Sequence, residues 1–216
     1  MNKVAAKLPE HQTIYHQIRD MILFGRLVPG QAVTIQGLVE MIGGGMTPVR
    51  EAIRRLTAEG ALESGGNRRV NVPVMTREVL EEIGFARLSI EPRLAELAAR
   101  RMTDDCLREL AELDAQVDAA IENGSIESYL EFNYRFHFRL YEQADAEVLA
   151  KIAKSLWLQV GPSLRIVCGR FGTSNLPDKH TEALIALREG QVERAAHAIS
   201  DDIRQGIGQV RLTLND

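Results

Sequence analysis

Long apolar runs, cysteines and aromatic residues are all scarce in this chain. No stretch approaches the roughly 20 apolar residues that cross a bilayer, so the sequence predicts no membrane segment. The opening MNKVAAKLPEHQ has no apolar core of the kind a secretory signal carries. The two cysteines, Cys106 and Cys168, make no CxxC or zinc-finger spacing. They read as free thiols in a reducing cytoplasm. Aromatic side chains are 5% of the residues. Leu, Ala, Ile, Glu and Arg are plentiful instead, a mixture that favours helices.

What is present suffices for a core: 45% of the 216 residues are hydrophobic, and that length suits one or two domains of about 150 residues each. The net charge of -4 is unevenly spread. Residues 1–75 hold 9 Lys and Arg against 6 Asp and Glu; the remaining residues hold 17 against 24. A mildly basic head on an acidic body fits a DNA-binding module attached to something else.

Apolar spacing predicts a helix from Thr13 to about Phe24 on Ile14, Ile18, Met21 and Ile22. After the turn at Pro29-Gly30, a short helix over Ile35–Ile42 carries Leu38, Met41 and Ile42. Gly43-Gly44-Gly45 breaks it. Thr47 is the expected cap of the next helix, with Pro48 at its first position. That helix buries Val49, Ala52, Ile53 and Leu56 and stops at Gly60. Short strands are expected at Leu62–Ser64 and Arg69–Val72, around a turn at Gly65-Gly66-Asn67. Beyond Pro73 only helical periods recur, at about 76–101, 103–123, 126–144, 146–168, 179–189 and 191–214. Pro92 and Gly161-Pro162 should kink or split two of them. Asp178 is a candidate cap for the fifth, and residues 169–177 read as a loop. The expected architecture is mainly α: a winged helix-turn-helix with a small β wing over 1–75, and an all-helical bundle over 76–216.

Three helices with a glycine turn between the second and third, then a hairpin, form the layout of a winged helix-turn-helix. Its third helix would present Thr47, Arg50, Glu51, Arg54 and Arg55 outward. Arg50 and Arg54 lie one turn apart and can enter one groove, while Arg68 and Arg69 sit at the wing, where phosphate contact is expected. An ordinary solvated face would present the same arginines. A phosphate-cradling reading of GGGMTPVR fails, because the Lys-Ser/Thr of a P-loop is missing.

The string MTPVREAIRRLTAEGALESGGNRRVNV resembles the recognition helix and wing of GntR-family regulators, and IYHQIRDMILFGRLVPGQAV resembles their first helix and the turn after it. The resemblance covers about residues 12–72. It implies that Arg50 contacts bases and that Thr47 holds the helix N-terminus on the DNA backbone. The chain departs from the family's pattern at three places. Gly45-Met46 replace a Ser-Arg pair, Gln36 stands where some relatives carry arginine, and Arg69 replaces the wing glycine. Affinity and operator sequence are what these departures touch.

In the body, polar residues interrupt stripes that should be buried. Asn133 and His137 are four apart among Leu130, Phe136 and Leu140; His180 lies with Ala183, Leu184 and Leu187; Asp202 lies beside Ile199 and Ile203; Arg87 and Glu91 interrupt Leu80, Ile83 and Leu94. Buried polar groups need partners. One divalent metal (Zn, Ni, Mn or Fe) would satisfy several at once, and separately hydrogen-bonded core residues would do so too. Helix count and NYRFHFRLYEQA resemble the FadR-type branch, whose sensing domain is called FCD. That resemblance covers about 76–212 and implies a metal held by an Asp and three His. Those positions fall here on Asn133, His137, His180 and Asp202, so one carboxylate is lost and another gained. It further implies a small carboxylate effector, for which Arg87 and Arg165 are candidate clamps. A structural pair with Glu91 is the other reading of Arg87, and Trp157 reads as core beside Ile152, Leu156 and Val160. The expected protein is a cytoplasmic, homodimeric, non-enzymatic regulator that binds an operator in double-stranded DNA. Two alternatives stay open at this point. One is a metal-dependent enzyme using His137, His180 and Asp202; the other is a family member that has lost DNA binding.

Overall fold

The computed structural model describes residues 8–65, 69–170 and 177–214, leaving out the side chains of 167–170. Arg68, the Gly66-Asn67 turn, most of the expected loop at 169–177 and the Cys168 thiol lie outside what is described.

Helix α1 (Glu10–Leu23) buries Ile14, Tyr15, Ile18, Met21 and Ile22 along one stripe. Strand β1 (Ala32–Val33) leads into α2 (Ile35–Ile42), whose first turn is closed by Thr34 accepting from the Gly37 N–H at 3.0 Å. Gly43 ends α2 with φ of 70°, and a Cβ on Gly44 would lie 2.4 Å from Ile14 Cδ1. Any larger residue there would push the end of the Ile14 side chain aside. Helix α3 (Met46–Ala58) follows, then β2 (Glu63–Gly65) and β3 (Arg69–Asn71).

Three local expectations need correction. The cap of α3 is Gly45, not Thr47, and no side chain closes it. Pro48 is accommodated one turn in because the first N–H groups of a helix have no partner within it. The sheet has three antiparallel strands, not two, with β1 pairing to β3 through Ala32↔Asn71 and Val33↔Val70. Two residues are too short to show an alternating period. Met41 is 56% exposed, because α2 packs through Leu38 with Ile35, Val39 and Ile42 beside it.

The rest is helical: α4 (Arg77–Ala99), α5 (Asp104–Glu122), α6 (Ile126–Gln143), α7 (Glu147–Arg170), α8 (Lys179–Arg188) and α9 (Val192–Thr213). Side-chain caps start three of them. Thr76 accepts from Val79 N–H, Thr103 from Cys106 N–H and Asp178 from Thr181 N–H. Pro92 and Pro162 lie inside α4 and α7 without splitting either helix. Each proline removes one rung of the backbone ladder, a loss that packing along both helices outweighs. Ile152 is 42% exposed, outside the packing around Trp157. None of the described helices is long and apolar enough to cross a membrane.

One apolar core runs through both halves of the molecule, from Ile14 to Val210. The joint is tight. A Cβ on Gly161 of α7 would lie 3.0 Å from the Leu23 carbonyl oxygen, and Gly25, with φ of 71°, leaves room for the Arg165 side chain against it. Phe24 meets the Tyr134 ring edge-on at 6.0 Å, and Arg26 pairs with Glu127 at 2.5 Å. Helix α6 therefore touches the N-terminal module with Glu127 and Tyr134.

Candidate functional site

Two places carry unusual chemistry, one exposed and one buried. The exposed one is the outer face of α3. Val49, Ala52, Ile53 and Leu56 face the core, which leaves Thr47, Arg50, Glu51, Arg54 and Arg55 on the surface. They are not equivalent. Arg55 bonds Glu59 at 2.9 Å and lies 3.7 Å above the Tyr15 ring, so it is tied to the module itself. Arg54 meets Glu51 only at 3.4 Å. Arg50 has no hydrogen bond or ion pair among the described residues. A guanidinium with no partner keeps all five donors for an outside acceptor. Arg69 is exposed on β3, at the edge of the same module. Met46 and Gln36 are exposed too, and Gln36 bonds Glu40 at 3.3 Å.

The buried place lies in the bundle. His137 from α6, His180 from α8 and Asp202 from α9 bring one ligand atom each within 4.8 Å of one another. His137 Nε2 lies 3.1 Å from Asp202 Oδ2 and 3.3 Å from His180 Nε2. Behind each imidazole stands a partner that fixes its tautomer. His180 Nδ1 faces Asp114 Oδ1 at 3.1 Å, so Nδ1 carries the proton and donates to the carboxylate. Tyr141 gives its hydroxyl proton to Glu91 at 2.7 Å, which leaves its oxygen to accept from His137 Nδ1 at 3.1 Å. Both Nε2 lone pairs therefore point at one spot, beside a carboxylate oxygen. Three such atoms that close are relieved by a proton held between His137 and Asp202 or by a metal ion among them. Phe136 stacks on the His180 ring at 3.9 Å and sets its plane.

The donor set fits a divalent metal. Bonds of about 2.0–2.1 Å in a tetrahedral site place neighbouring ligand atoms roughly 3.3 Å apart, and the observed separations are 3.1 and 3.3 Å. The carboxylate–imidazole contacts behind are those that orient metal-bound histidines.

Charge is distributed in keeping with this. Burial lowers the His137 pKa, with the Asp202 carboxylate opposing it in part. For His180, burial also pulls downward, yet the bond to Asp114 and the charges of Asp202 and Asp178 outweigh it, so the value is raised. Burial works against ionising Asp202 as well, and the bond to His137 with His180 and Arg87 nearby brings its carboxyl down to about 2.

His180, Asp202 and Asn133 also line a cavity of about 380 Å³ together with Asp114. Asn133 thus shares a cavity with His180 and Asp202, while His137 is fully buried and meets it through those two residues. The two proposed clamps lie elsewhere. Arg87 is buried and engaged with Glu91 at 2.5 Å, over the Trp157 ring. Trp157 itself donates Nε1–H to Glu91 at 2.9 Å. Arg165 lies at the joint against Gly25. Neither arginine lines the cavity. For Arg87 the pair with Glu91 is the reading that holds: a guanidinium this deep in a bundle needs a partner from its own chain, and the glutamate four residues on supplies it.

Asp114 escaped sequence reasoning. It interrupts the stripe of Cys106, Leu110, Leu113 and Val117 on α5, the same signal that marked the other positions.

Comparison with known proteins covers both places. Residues 10–72 match the family described as bacterial regulatory proteins, gntR family, and residues 82–205 match the FCD domain. The chain is 28% identical over 211 residues to the HTH-type transcriptional regulator McbR of Escherichia coli K12, covering 96% of this chain and 93% of that one. It is 26% identical over 198 residues to a probable D-xylose utilization operon transcriptional repressor of Paenarthrobacter nicotinovorans, covering 88% and 86%. Among solved structures, E. coli McbR/YncC superposes with a TM-score of 0.90 at 25% identity, covering 97% of this chain and all of that one.

Proposed function

The chain belongs to the GntR family of bacterial transcriptional regulators, in the branch with an FCD domain, and from that premise we propose that it senses a small molecule through a metal in its bundle. Residues 1–75 would form the operator-binding domain and 76–216 the sensing and dimerising one. Arg50 reads bases in double-stranded DNA, with Arg54 beside it, and Thr47, Arg68 and Arg69 meet the backbone. A homodimer places two such helices on half-sites about one turn apart.

The observation that carries this reading is the pair of imidazole lone pairs aimed at one spot beside Asp202. His137, His180 and Asp202 would hold the ion, with Asn133 as a neutral oxygen donor. A bound ion supplies a Lewis-acidic point to which an effector's donor atom can attach. Helix α6 gives a physical link to the DNA side. It carries Asn133 to the cavity and His137 to the cluster, and Glu127 and Tyr134 toward the N-terminal module. A shift of α6 on occupancy therefore moves the joint. The cluster is taken as a sensor rather than a catalyst because the named relatives are regulators.

The test is a gel shift with DNA from the protein's own promoter. Wild type should bind specifically, and its binding should respond to added Zn²⁺ after chelator treatment. His137→Ala should still bind that DNA and lose the response. Specific binding absent from both proteins, or an unchanged metal response in His137→Ala, would overturn the proposal.

A further inference from the structure

The cavity beside the imidazoles has a charge that does not suit the effector class the family resemblance implies. Among the described residues its lining includes five carboxylates, Asp114, Asp118, Glu122, Asp178 and Asp202, against a single Lys179. Lys179 is already paired with Glu182 at 2.8 Å and faces Asp201 at 3.9 Å. With Arg87 and Arg165 engaged elsewhere, no guanidinium among the described residues lines it. A divalent ion together with Lys179 offsets only three of the five negative charges. An anionic ligand would enter against that field.

A second observation marks the place as built for a ligand. Asn133 is 9% exposed and lines the cavity, and its amide has no hydrogen-bond partner among the described residues. Its amide opens on the cavity and is free to bond what occupies it. Between the acids, Val117 and Ile121 present an apolar strip on the same side of α5. The Asp118 carboxyl is pushed upward by burial and then by repulsion from Asp114, Asp178 and Glu122, a strain that a cation would relieve.

We propose that this cavity takes a small organic cation, an aliphatic amine whose ammonium group sits among Asp118, Glu122 and Asp178 while its chain lies on Val117 and Ile121. The volume, about 380 Å³, is at the lower end of the usual range for ligand pockets, roughly 300–1,000 Å³, so the effector is a metabolite of few heavy atoms. The inference rests on the sensor reading above and names the ligand class for it.

The test compares two probes of equal length and opposite charge, 1,4-diaminobutane and butanedioate, by calorimetry on the full-length, zinc-loaded protein. The diamine should bind roughly tenfold or more tightly than the diacid, with the preference shrinking as salt rises. The double variant Asp118→Asn, Glu122→Gln changes only exposed side chains and should erase the preference while leaving zinc uptake intact. Equal or tighter binding of butanedioate, or no diamine binding at millimolar concentration, would overturn the proposal. A wild type that takes up no zinc yet prefers the diamine would fault the metal reading alone and support this one.

Discussion

Helices α3 and α6 both expose the chemistry of regulation, in opposite ways. On α3 the side chain of most interest, Arg50, stands in solvent without a partner among the described residues. On α6 His137 is fully buried and meets three polar partners: Tyr141, His180 and Asp202. A surface that reads a changing partner keeps its donors free, at little cost in water. Groups sealed inside a bundle cannot, because each one left unpaired costs about 1–3 kcal/mol, and Asn133 goes without a described partner only where it opens on the cavity. Substitution at an exposed reader should therefore spare the fold and remove one function. Substitution in the buried cluster should disturb several neighbours together.

The largest effect is expected at the cluster itself. His137→Ala removes a direct donor, so metal affinity should fall by more than the roughly 10–100-fold typical of outer partners. Equilibrium dialysis with Zn²⁺ measures it, and retained wild-type affinity would place the ion elsewhere.

Arg50→Ala comes next. Losing one bidentate base contact should weaken operator binding by about 1–3 kcal/mol, read by fluorescence anisotropy at fixed salt. The melting temperature should hold, since Arg50 makes no hydrogen bond or ion pair among the described residues. A variant that melts early would blur the contrast between the two helices.

Asp114→Asn probes the layer behind the proposed metal. It keeps the shape but weakens the acceptor for His180 Nδ1–H, so metal affinity should drop by roughly 10–100-fold. Because Asp114 helps raise the His180 pKa, the pH profile of metal uptake should also move down, a change that a merely structural role would not cause.

The smallest effect is in that profile for the wild type. Metal binding requires neutral imidazoles. The His137 pKa is lowered and the His180 pKa raised from the ordinary 6.5. As pH falls, His180 protonates first, so uptake should begin to weaken above pH 6.5, with His137 still neutral. An onset well below 6.5 would show that Asp114 and Asp202 do not act on His180 as described.

The two regions also differ in how legible they were. The α3 module announced itself through a contiguous motif, and its helices fell close to their expected bounds. Its errors were local: the Gly45 cap, the two-residue β1 and the exposed Met41, none of which a periodic pattern encodes. In the bundle, apolar stripes gave six helices within about two residues at most ends, and interrupted stripes named Asn133, His137, His180 and Asp202. Direction was harder to read. Arg87 and Arg165 share the polarity of a ligand clamp, yet Glu91 four residues on holds the first, and the close approach of Gly25 places the second at the joint. Which polar residues meet across helices depends on packing between segments far apart in sequence, so Asp114 stayed hidden despite an equal signal.

The central claim is that three side chains from α6, α8 and α9 hold one ion. Calorimetric titration of Zn²⁺ into chelator-treated, tag-free, full-length protein tests it most directly, with Asp202→Ala run alongside. The account predicts saturation at one ion per chain for the wild type and loss of that site in the variant. No uptake by the wild type, or equal uptake by both proteins, would contradict it.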